Sequence, residues 1–131
     1  MKENEFETIK RTDNNGAEYW SSRDLAKVLE YPDYRKFLAV IERAKISCEN
    51  SEEVIHNHFV LTDEMVPIGS GAERAIDTMY LSRYACYLIV QNSDPAKVPV
   101  AKGQTYFAIQ TRRQEKIDEI IPHFYVKTAM F

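Results

Sequence analysis

The chain has 131 residues, the size of one domain, and its 44% hydrophobic content is sufficient for a buried core. No apolar stretch reaches the about 18 residues that a membrane span needs, and the charged start lacks the apolar segment of a secretory signal. These features argue against a membrane partner and predict a cytoplasmic protein in which Cys48 and Cys86 are buried, reduced thiols.

The first elements in the chain are predicted to be a hairpin and a helix. Residues Glu5–Lys10 are expected to form a short strand. Asn14, Asn15 and Gly16 favour a tight turn, because these residue types tolerate positive φ, and residues 17–20 return as the second strand. Ser21 then resembles an N-cap, with Asp24 three residues later approximating a capping box.

Two helices are predicted in close succession between Ser21 and Cys48. The first ends at Tyr31-Pro32, because the residue before proline avoids the α region. Asp33 can cap the second, whose apolar residues follow helical spacing. This arrangement allows a DNA-binding helix-turn-helix, or two helices that pack on a sheet. The length of the second helix favours packing.

The middle of the chain is predicted to contain two strands and a short buried helix. Residues 49–73 are largely polar and irregular, with a strand candidate at His58–Thr62 and a turn at 69–71. Residues 75–81 form the second strand candidate. Ser82 is predicted to cap a helix that begins at Arg83 and contains Cys86, Leu88 and Ile89 in the core. The Arg83 stem is expected to cover the core while its guanidinium reaches the surface.

A long helix is predicted to start at Pro95 or Pro99 and to continue to about Ile117, since proline fits the first turn of a helix. No acid occurs between Pro95 and Gln114. With 3.6 residues per turn, the bases of this helix share one half of its circumference. Its apolar residues Val98, Ala101 and Ala108 are assigned to the other half, toward the core. The bases considered for an anionic partner are Lys97, Lys102, Arg112, Arg113 and Lys116, together with Arg83.

We expect a single domain over residues 1–131, with a core of about residues 5–117 and a C-terminal tail at 118–131. The tail is rich in apolar side chains that follow a proline. Exposed apolar surface of this kind is usually buried against the same protein or against a partner. The tail is therefore predicted to pack on its own domain or to form a homo-oligomer contact.

Catalytic, metal-binding and cofactor-binding motifs find little support. His56 and His58 would share a strand face, but no third metal ligand has suitable spacing. Ser82 lacks the GxSxG context of a hydrolase nucleophile. Gly69-Ser70-Gly71 lacks the ending of a phosphate-binding loop. No catalytic residue, metal or cofactor is predicted, and the chain is expected not to be an enzyme.

Several long blocks resemble the bacterial DNA-damage-inducible protein D family. These blocks are EYWSSRDLAKVLEYPDYRKF, LSRYACYLIVQNSDP and AKGQTYFAIQTRRQE. The resemblance covers roughly Phe6 to Glu115. More distantly, the layout is similar to the BRO-N domain of phage antirepressors and baculovirus repeated-ORF proteins. Family members continue through a long, charged C-terminal half, whereas this sequence departs from them after Gln114.

The resemblance implies an α+β, BRO-N-like fold, in which a small antiparallel sheet (the N-terminal hairpin plus one or two further strands) packs with about four helices. It also implies a non-enzymatic accessory role in the DNA-damage (SOS) response and an effect on recombination. The expected partner is DNA, single-stranded, or a recombinase filament on such DNA. The alternative is an antirepressor-like transcription regulator that acts through protein–protein contact or oligomerisation.

Overall fold

A four-stranded antiparallel sheet, with strands in the order β1-β2-β4-β3, is surrounded by five α-helices. The computed structural model describes residues 4–120, with side chains to residue 109. This confirms the predicted α+β class. The elements are α1 (Glu5–Ile9), β1 (Arg11–Thr12), β2 (Glu18–Ser21), α2 (Ser22–Val28), α3 (Tyr34–Asn50), a 3₁₀ turn (Ile55–Asn57), β3 (Phe59–Pro67), β4 (Glu73–Leu81), α4 (Arg83–Gln91) and α5 (Val98–Ile120).

The prediction of a strand at Glu5–Lys10 is wrong, because this segment forms helix α1. The Asn4 side chain caps α1 by accepting hydrogen bonds from the backbone N–H groups of Phe6 at 2.8 Å and Glu7 at 3.4 Å. Glu5 and Glu7 in the first turn suit the positive end of the helix dipole. The hairpin strand is therefore reduced to Arg11–Thr12, which pairs with β2 across the predicted turn.

The N-caps predicted at Ser21, Asp33 and Ser82 are confirmed. Each side chain accepts a hydrogen bond from a backbone N–H in the first turn of the helix that follows it. A serine or aspartate at this position satisfies an amide that has no partner within the helix. The starts of α2, α3 and α4 therefore follow directly from local sequence.

Helices α2 and α3 pack into the core, as the packing interpretation predicted. Leu25 of the first and Leu29 at its C-cap are fully buried, as are Phe37 and Ile41 of the second. The Ser22 hydroxyl accepts a hydrogen bond from the backbone N–H of Met79 at 3.0 Å, which fastens α2 to β4. DNA binding through this helix pair stays a prediction.

The strands β3 and β4 are longer than expected, and they replace much of the irregular stretch predicted at 49–73. All nine residues of Phe59–Pro67 pair with Glu73–Leu81. The hairpin turn between them contains Gly69 and Gly71, both with positive φ. Local polarity concealed this hairpin because one face of its outer half is exposed and the other is only partly buried.

The prediction that Val98, Ala101 and Ala108 face the core is wrong, since all three are exposed and 63% of the Val98 surface is accessible. The core side of α5 consists instead of Val100, Gly103, Tyr106 and Phe107. At 3.6 residues per turn all three lie within about 100° of Lys97, on the same half of the helix as the bases, so their assignment to the opposite half was an error of projection. Spacing also does not say which face of α5 meets the sheet. The contacts of Phe107 with the rings of Phe6 and Trp20 decide it.

The predicted burial of α4 is confirmed, with Cys86, Leu88 and Ile89 in the core. Both cysteines are free and buried, and burial raises the pKa of each thiol. Within residues 4–120, no helix combines the length and apolarity that crossing a membrane requires. The segment predicted as a tail overlaps α5 up to Ile120, and its remaining residues lie outside the described ones.

Gly103 allows α5 to approach α1 and α4 closely. A Cβ atom at this position would lie 2.9 Å from the ring of Phe6 and 3.0 Å from a methyl group of Val90. We therefore expect Gly103→Ala to destabilise the protein by about 1–3 kcal/mol, although alanine favours helix formation. Urea unfolding measures the change. Thr105→Ala, on the exposed side of the same helix, is the control, and equal stability of the parent and Gly103→Ala would contradict this packing.

Candidate functional site

The sequence-predicted binding residues do not form one cluster in the described part of the chain. Lys97 directly precedes α5 and Lys102 lies in its second turn, whereas Arg83 opens α4. Arg112, Arg113 and Lys116 lie on the α5 backbone, but their side chains are outside the described residues. Their assignment to a binding face therefore stays a prediction.

Lys97 is engaged with the turn between α2 and α3. Its Nζ atom donates a hydrogen bond to the carbonyl oxygen of Glu30 at 2.7 Å and lies 3.9 Å from the ring centroid of Tyr31. A cation over an aromatic ring is attracted to the negative face of the ring. Lys97 therefore joins the start of α5 to this turn, and a phosphate group would have to share it with these contacts.

Lys102 is exposed and lies in a groove of about 850 Å³ along the outer face of α5. Apolar side chains surround it, with Val98 and Ile109 the largest exposed ones. Glu7 and Tyr106 line the same groove. This surface presents one described base within an apolar setting, which suits a protein partner at least as well as a phosphate backbone.

Arg83 explains why the most apolar run of the sequence begins with a cation. Its guanidinium forms an ion pair with the carboxylate of Glu18 on β2, and 24% of its side-chain surface is accessible. The predicted partial burial is confirmed, but the guanidinium turns to Glu18 and its Nε atom is buried, whereas the sequence predicted a guanidinium at the surface and no acidic partner. The carboxylate offsets the unfavourable position of a cation at a helix N-terminus.

The ion pair of Arg83 belongs to a chain of alternating charges that joins α1, β2, α4 and α5. Lys10 lies 3.9 Å from Glu18 and 2.9 Å from Glu7, and the Tyr106 hydroxyl donates a hydrogen bond to Glu7. This bond and the Lys10 ammonium hold the pKa of Glu7 below its ordinary value. Burial, together with Glu7, raises the pKa of Tyr106. Arg83 therefore has a structural role within the domain, in addition to any contact that it makes with a partner.

Two further arginines that the sequence did not single out also connect elements. Arg11 on β1 contacts Glu64 at 2.6 Å and Asp24 at 2.9 Å. Arg23 on α2 pairs with Asp77 at 3.0 Å and lies 3.6 Å from the ring centroid of Tyr34. No local spacing signals these pairs, because their members are separated by 13 to 54 residues in sequence.

The sequence offered His58 only as one member of a histidine pair without a third metal ligand, and it proves to support the cap of α4. Its Nδ1 atom lies 2.7 Å from the Ser82 hydroxyl, which also accepts a hydrogen bond from the backbone N–H of Ala85 at 3.0 Å. The Nε2 atom of the same ring faces Glu53 at 3.6 Å. That distance exceeds an ordinary hydrogen bond, so the trio supports a cap rather than an activated nucleophile.

His56 lies in the 3₁₀ turn rather than on the strand face that sequence spacing assigned to the pair. Among the side chains that the structure describes, no three or more His, Cys, Asp or Glu residues are grouped as metal ligands. The histidine pair therefore gives no support to a metal site in the described part of the chain.

An α+β domain in which a small antiparallel sheet packs with helices is the arrangement that the sequence resemblance implied. A profile of the BRO family N-terminal domain matches residues 5–108, and the chain belongs to this family. The chain is also 59% identical over 114 residues to DNA damage-inducible protein D of Escherichia coli (strain K12). This confirms the resemblance predicted from the sequence.

The alignment covers 87% of this chain and 42% of that relative, so the chain spans less than half the length of the curated protein it matches. No solved structure matches the chain. The matched profile ends at residue 108, which lies within α5. The bases at 112, 113 and 116 therefore lie beyond the family domain match.

The pairing of Glu18 with Arg83 predicts energetic coupling between β2 and α4. We expect Glu18→Gln and Arg83→Gln each to lower the free energy of unfolding, and the double variant to lose less than the sum. A coupling of about 0.5–3 kcal/mol is typical of contacting charged residues. A double-mutant cycle by urea unfolding measures it. Additive losses would show that the two side chains act independently.

The lowered pKa of Glu64 predicts that acid destabilises the sheet. Burial would raise the pKa of Glu64, but hydrogen bonds from Arg11 and Tyr80 outweigh it and hold this pKa below the ordinary 4.5. The ionised group therefore stabilises the fold above the unfolded-state value, and this contribution disappears as the pH falls through the lower folded-state pKa.

We expect Glu64→Gln to lower stability near neutral pH and to flatten the loss of stability as the pH falls below 4.5. Urea unfolding at several pH values measures this, with the exposed Glu49→Gln on α3 as the control. A parallel pH profile for the parent and Glu64→Gln would contradict the assigned role of the Arg11 contact.

Proposed function

We propose that this chain is a non-enzymatic accessory protein of the DNA-damage response, which binds single-stranded DNA or a recombinase filament on that DNA and modulates recombination. The observation that carries the proposal is the 59% identity, over most of the chain, to a protein named for its induction by DNA damage. The BRO family N-terminal domain is compatible with such a binding role.

The acid-free segment between Pro95 and Gln114 supports an anionic partner. Helix α5 continues without a break from Val98 to Ile120, as the helical projection of its bases requires. On that projection, positions 112, 113 and 116 fall on the same half as Val98 and Lys102, which face away from the core in the described part. Bases on such a face can neutralise phosphates and release counterions.

A regulator resembling the phage antirepressors is the second candidate, and the apolar groove around Lys102 favours it. The exposed surfaces of Val98 and Ile109 offer nothing to a phosphate backbone, but they suit an apolar protein interface. In this alternative, the bases of α5 are solvated charges at the rim of a protein contact.

Charge reversal on α5 distinguishes the two candidates. We expect Arg112→Glu combined with Arg113→Glu to weaken binding of single-stranded DNA or of a preformed recombinase filament. The dependence of log affinity on log salt should also become shallower, by about 0.7 for each lost phosphate contact. Fluorescence anisotropy with labelled oligonucleotide at several salt concentrations measures both effects, and circular dichroism verifies folding.

The matched control is Arg35→Glu combined with Lys36→Glu, which changes the charge equally on the exposed side of α3. This control should bind like the parent. Selective loss in the control would place the DNA interface at the α2–α3 pair, as in the helix-turn-helix alternative. Equal binding by the parent and the α5 variant on both targets would favour the antirepressor-like regulator.

A further inference from the structure

Among residues 4–120, no further strand pairs with the outer edge of β3, which is the long edge of the sheet. All nine of its residues pair with β4, whereas β2 pairs with β4 only at Trp20↔Leu81 and Ser21↔Tyr80. The rest of the hairpin is a two-stranded ribbon beyond the sheet. In an antiparallel pair, alternate residues of the outer strand direct their N–H and C=O groups away from the partner. At the other edge of the sheet, β1 has only two residues.

Exposed apolar side chains concentrate on this edge. The described residues include eight exposed large apolar side chains, and four of these lie on β3 or in the turn directly after it, namely Val60, Leu61, Met65 and Ile68. Leu61 and Met65 are 74% and 60% accessible and lie on the same face of the ribbon, because they are four residues apart on one strand. An exposed edge of this length and apolarity is a template for an added strand.

The charge of the ribbon restricts what can bind there. Its two strands contain four acids, Asp63, Glu64, Glu73 and Asp77, and one base, Arg74. Glu64 and Asp77 pair with Arg11 and Arg23, respectively, whereas Asp63 and Glu73 are exposed. Asp63 lies on the face of Leu61 and Met65, at the centre of β3.

This charge disfavours two other occupants. Ribbons of two strands can enter the grooves of DNA, but the acids of this one that are exposed and unpaired among the described residues, Asp63 and Glu73, outnumber its exposed base Arg74 and would repel phosphates. A second copy of the chain, paired edge to edge, would bring two equally acidic ribbons together, and like charges across strands are destabilising. A basic polypeptide complements both the acids and the apolar side chains.

We propose that the outer edge of β3 binds an extended polypeptide segment of another protein, in which apolar side chains alternate with Lys or Arg. The main chain of this segment extends the sheet, its apolar side chains cover Leu61 and Met65, and its bases face Asp63. This surface is built from residues other than those of α5, so the inference stands independently of DNA binding.

A labelled seven-residue peptide that alternates Lys and Val is the probe. Fluorescence anisotropy should show that the protein binds it, and hydrogen exchange should show slower exchange at alternate amides of β3. A peptide with proline at its central position, which lacks one main-chain donor, should bind more weakly. Absence of binding by the parent, or protection elsewhere in the chain, would overturn the proposal.

Leu61→Thr combined with Met65→Thr removes the apolar contact while keeping residues that favour strands. The affinity of this double variant for the Lys-Val peptide should be at least about tenfold lower than that of the parent. Val98→Thr combined with Ile109→Thr, the same kind of change on α5, should bind like the parent. Equal losses in both variants would refute a site on β3.

Asp63→Lys gives a second, independent measurement. It should weaken binding of the Lys-Val peptide and strengthen binding of a Glu-Val peptide of equal length, because the charges are exchanged. An unchanged preference between the two peptides would contradict the charge assignment.

Analytical ultracentrifugation of the free protein tests whether a second copy of the chain occupies the edge of β3 instead. A dimer that Leu61→Thr and Met65→Thr dissociate would show that a second copy occupies the edge.

The failure of this proposal is separable from failure of DNA binding. The variant with Arg112→Glu and Arg113→Glu should retain peptide binding, and the variant with Leu61→Thr and Met65→Thr should retain DNA binding. A loss of both activities in either variant would contradict two separate surfaces, provided that circular dichroism shows the variant to be folded.

Discussion

The contact among Phe6, Trp20 and Phe107 holds the two ends of the domain on the sheet. Trp20 is fully buried at the centre of β2, and its indole N–H donates a hydrogen bond to the carbonyl oxygen of Phe6 at 2.9 Å. The ring of Phe107 meets both other rings edge to face. Because this arrangement fixes α1 and α5 relative to β2, it also determines which side of α5 is exposed.

The arginines of the core boundary act mainly within the protein. Arg11, Arg23 and Arg83 each join two or more elements through carboxylates or aromatic rings, and the partly buried pairs stabilise more than fully solvated ones do. The positive charge available to a partner must therefore come from exposed bases such as Lys102 and, in the proposal, from the later part of α5. This separates structural from binding roles among residues that look equivalent in sequence.

Two surfaces of different chemistry remain on the described part of the domain. The groove along α5 combines apolar side chains with Lys102, whereas the edge of β3 combines apolar side chains with acids. In the two proposals, the surface of α5 contacts nucleic acid while the edge of β3 contacts protein. Their opposite charge makes the two interactions distinguishable by salt and by mutation.

The sequence by itself determined the caps at Ser21, Asp33 and Ser82, the turn near Gly16, the buried run of α4 and the family. The caps, the turn and the buried run depend on residues within a few positions of one another. The family depends on long blocks of sequence that occur in the same order in the family that the chain resembles. The same local reasoning assigned Glu5–Lys10 to a strand, because it could not see that Asn4 caps a helix and that the Phe6 ring has a partner 101 residues later.

Only the tertiary structure decided the rest. It showed that Gly103 rather than Ala101 faces the core, that Glu18 neutralises Arg83, that His58 supports the Ser82 cap, and that β3 forms an open edge. Each of these depends on strand register or on helix rotation about its axis. Both are fixed by contacts between residues far apart in the chain, because several faces of each element are nearly equivalent in local energy until the neighbouring elements are in place.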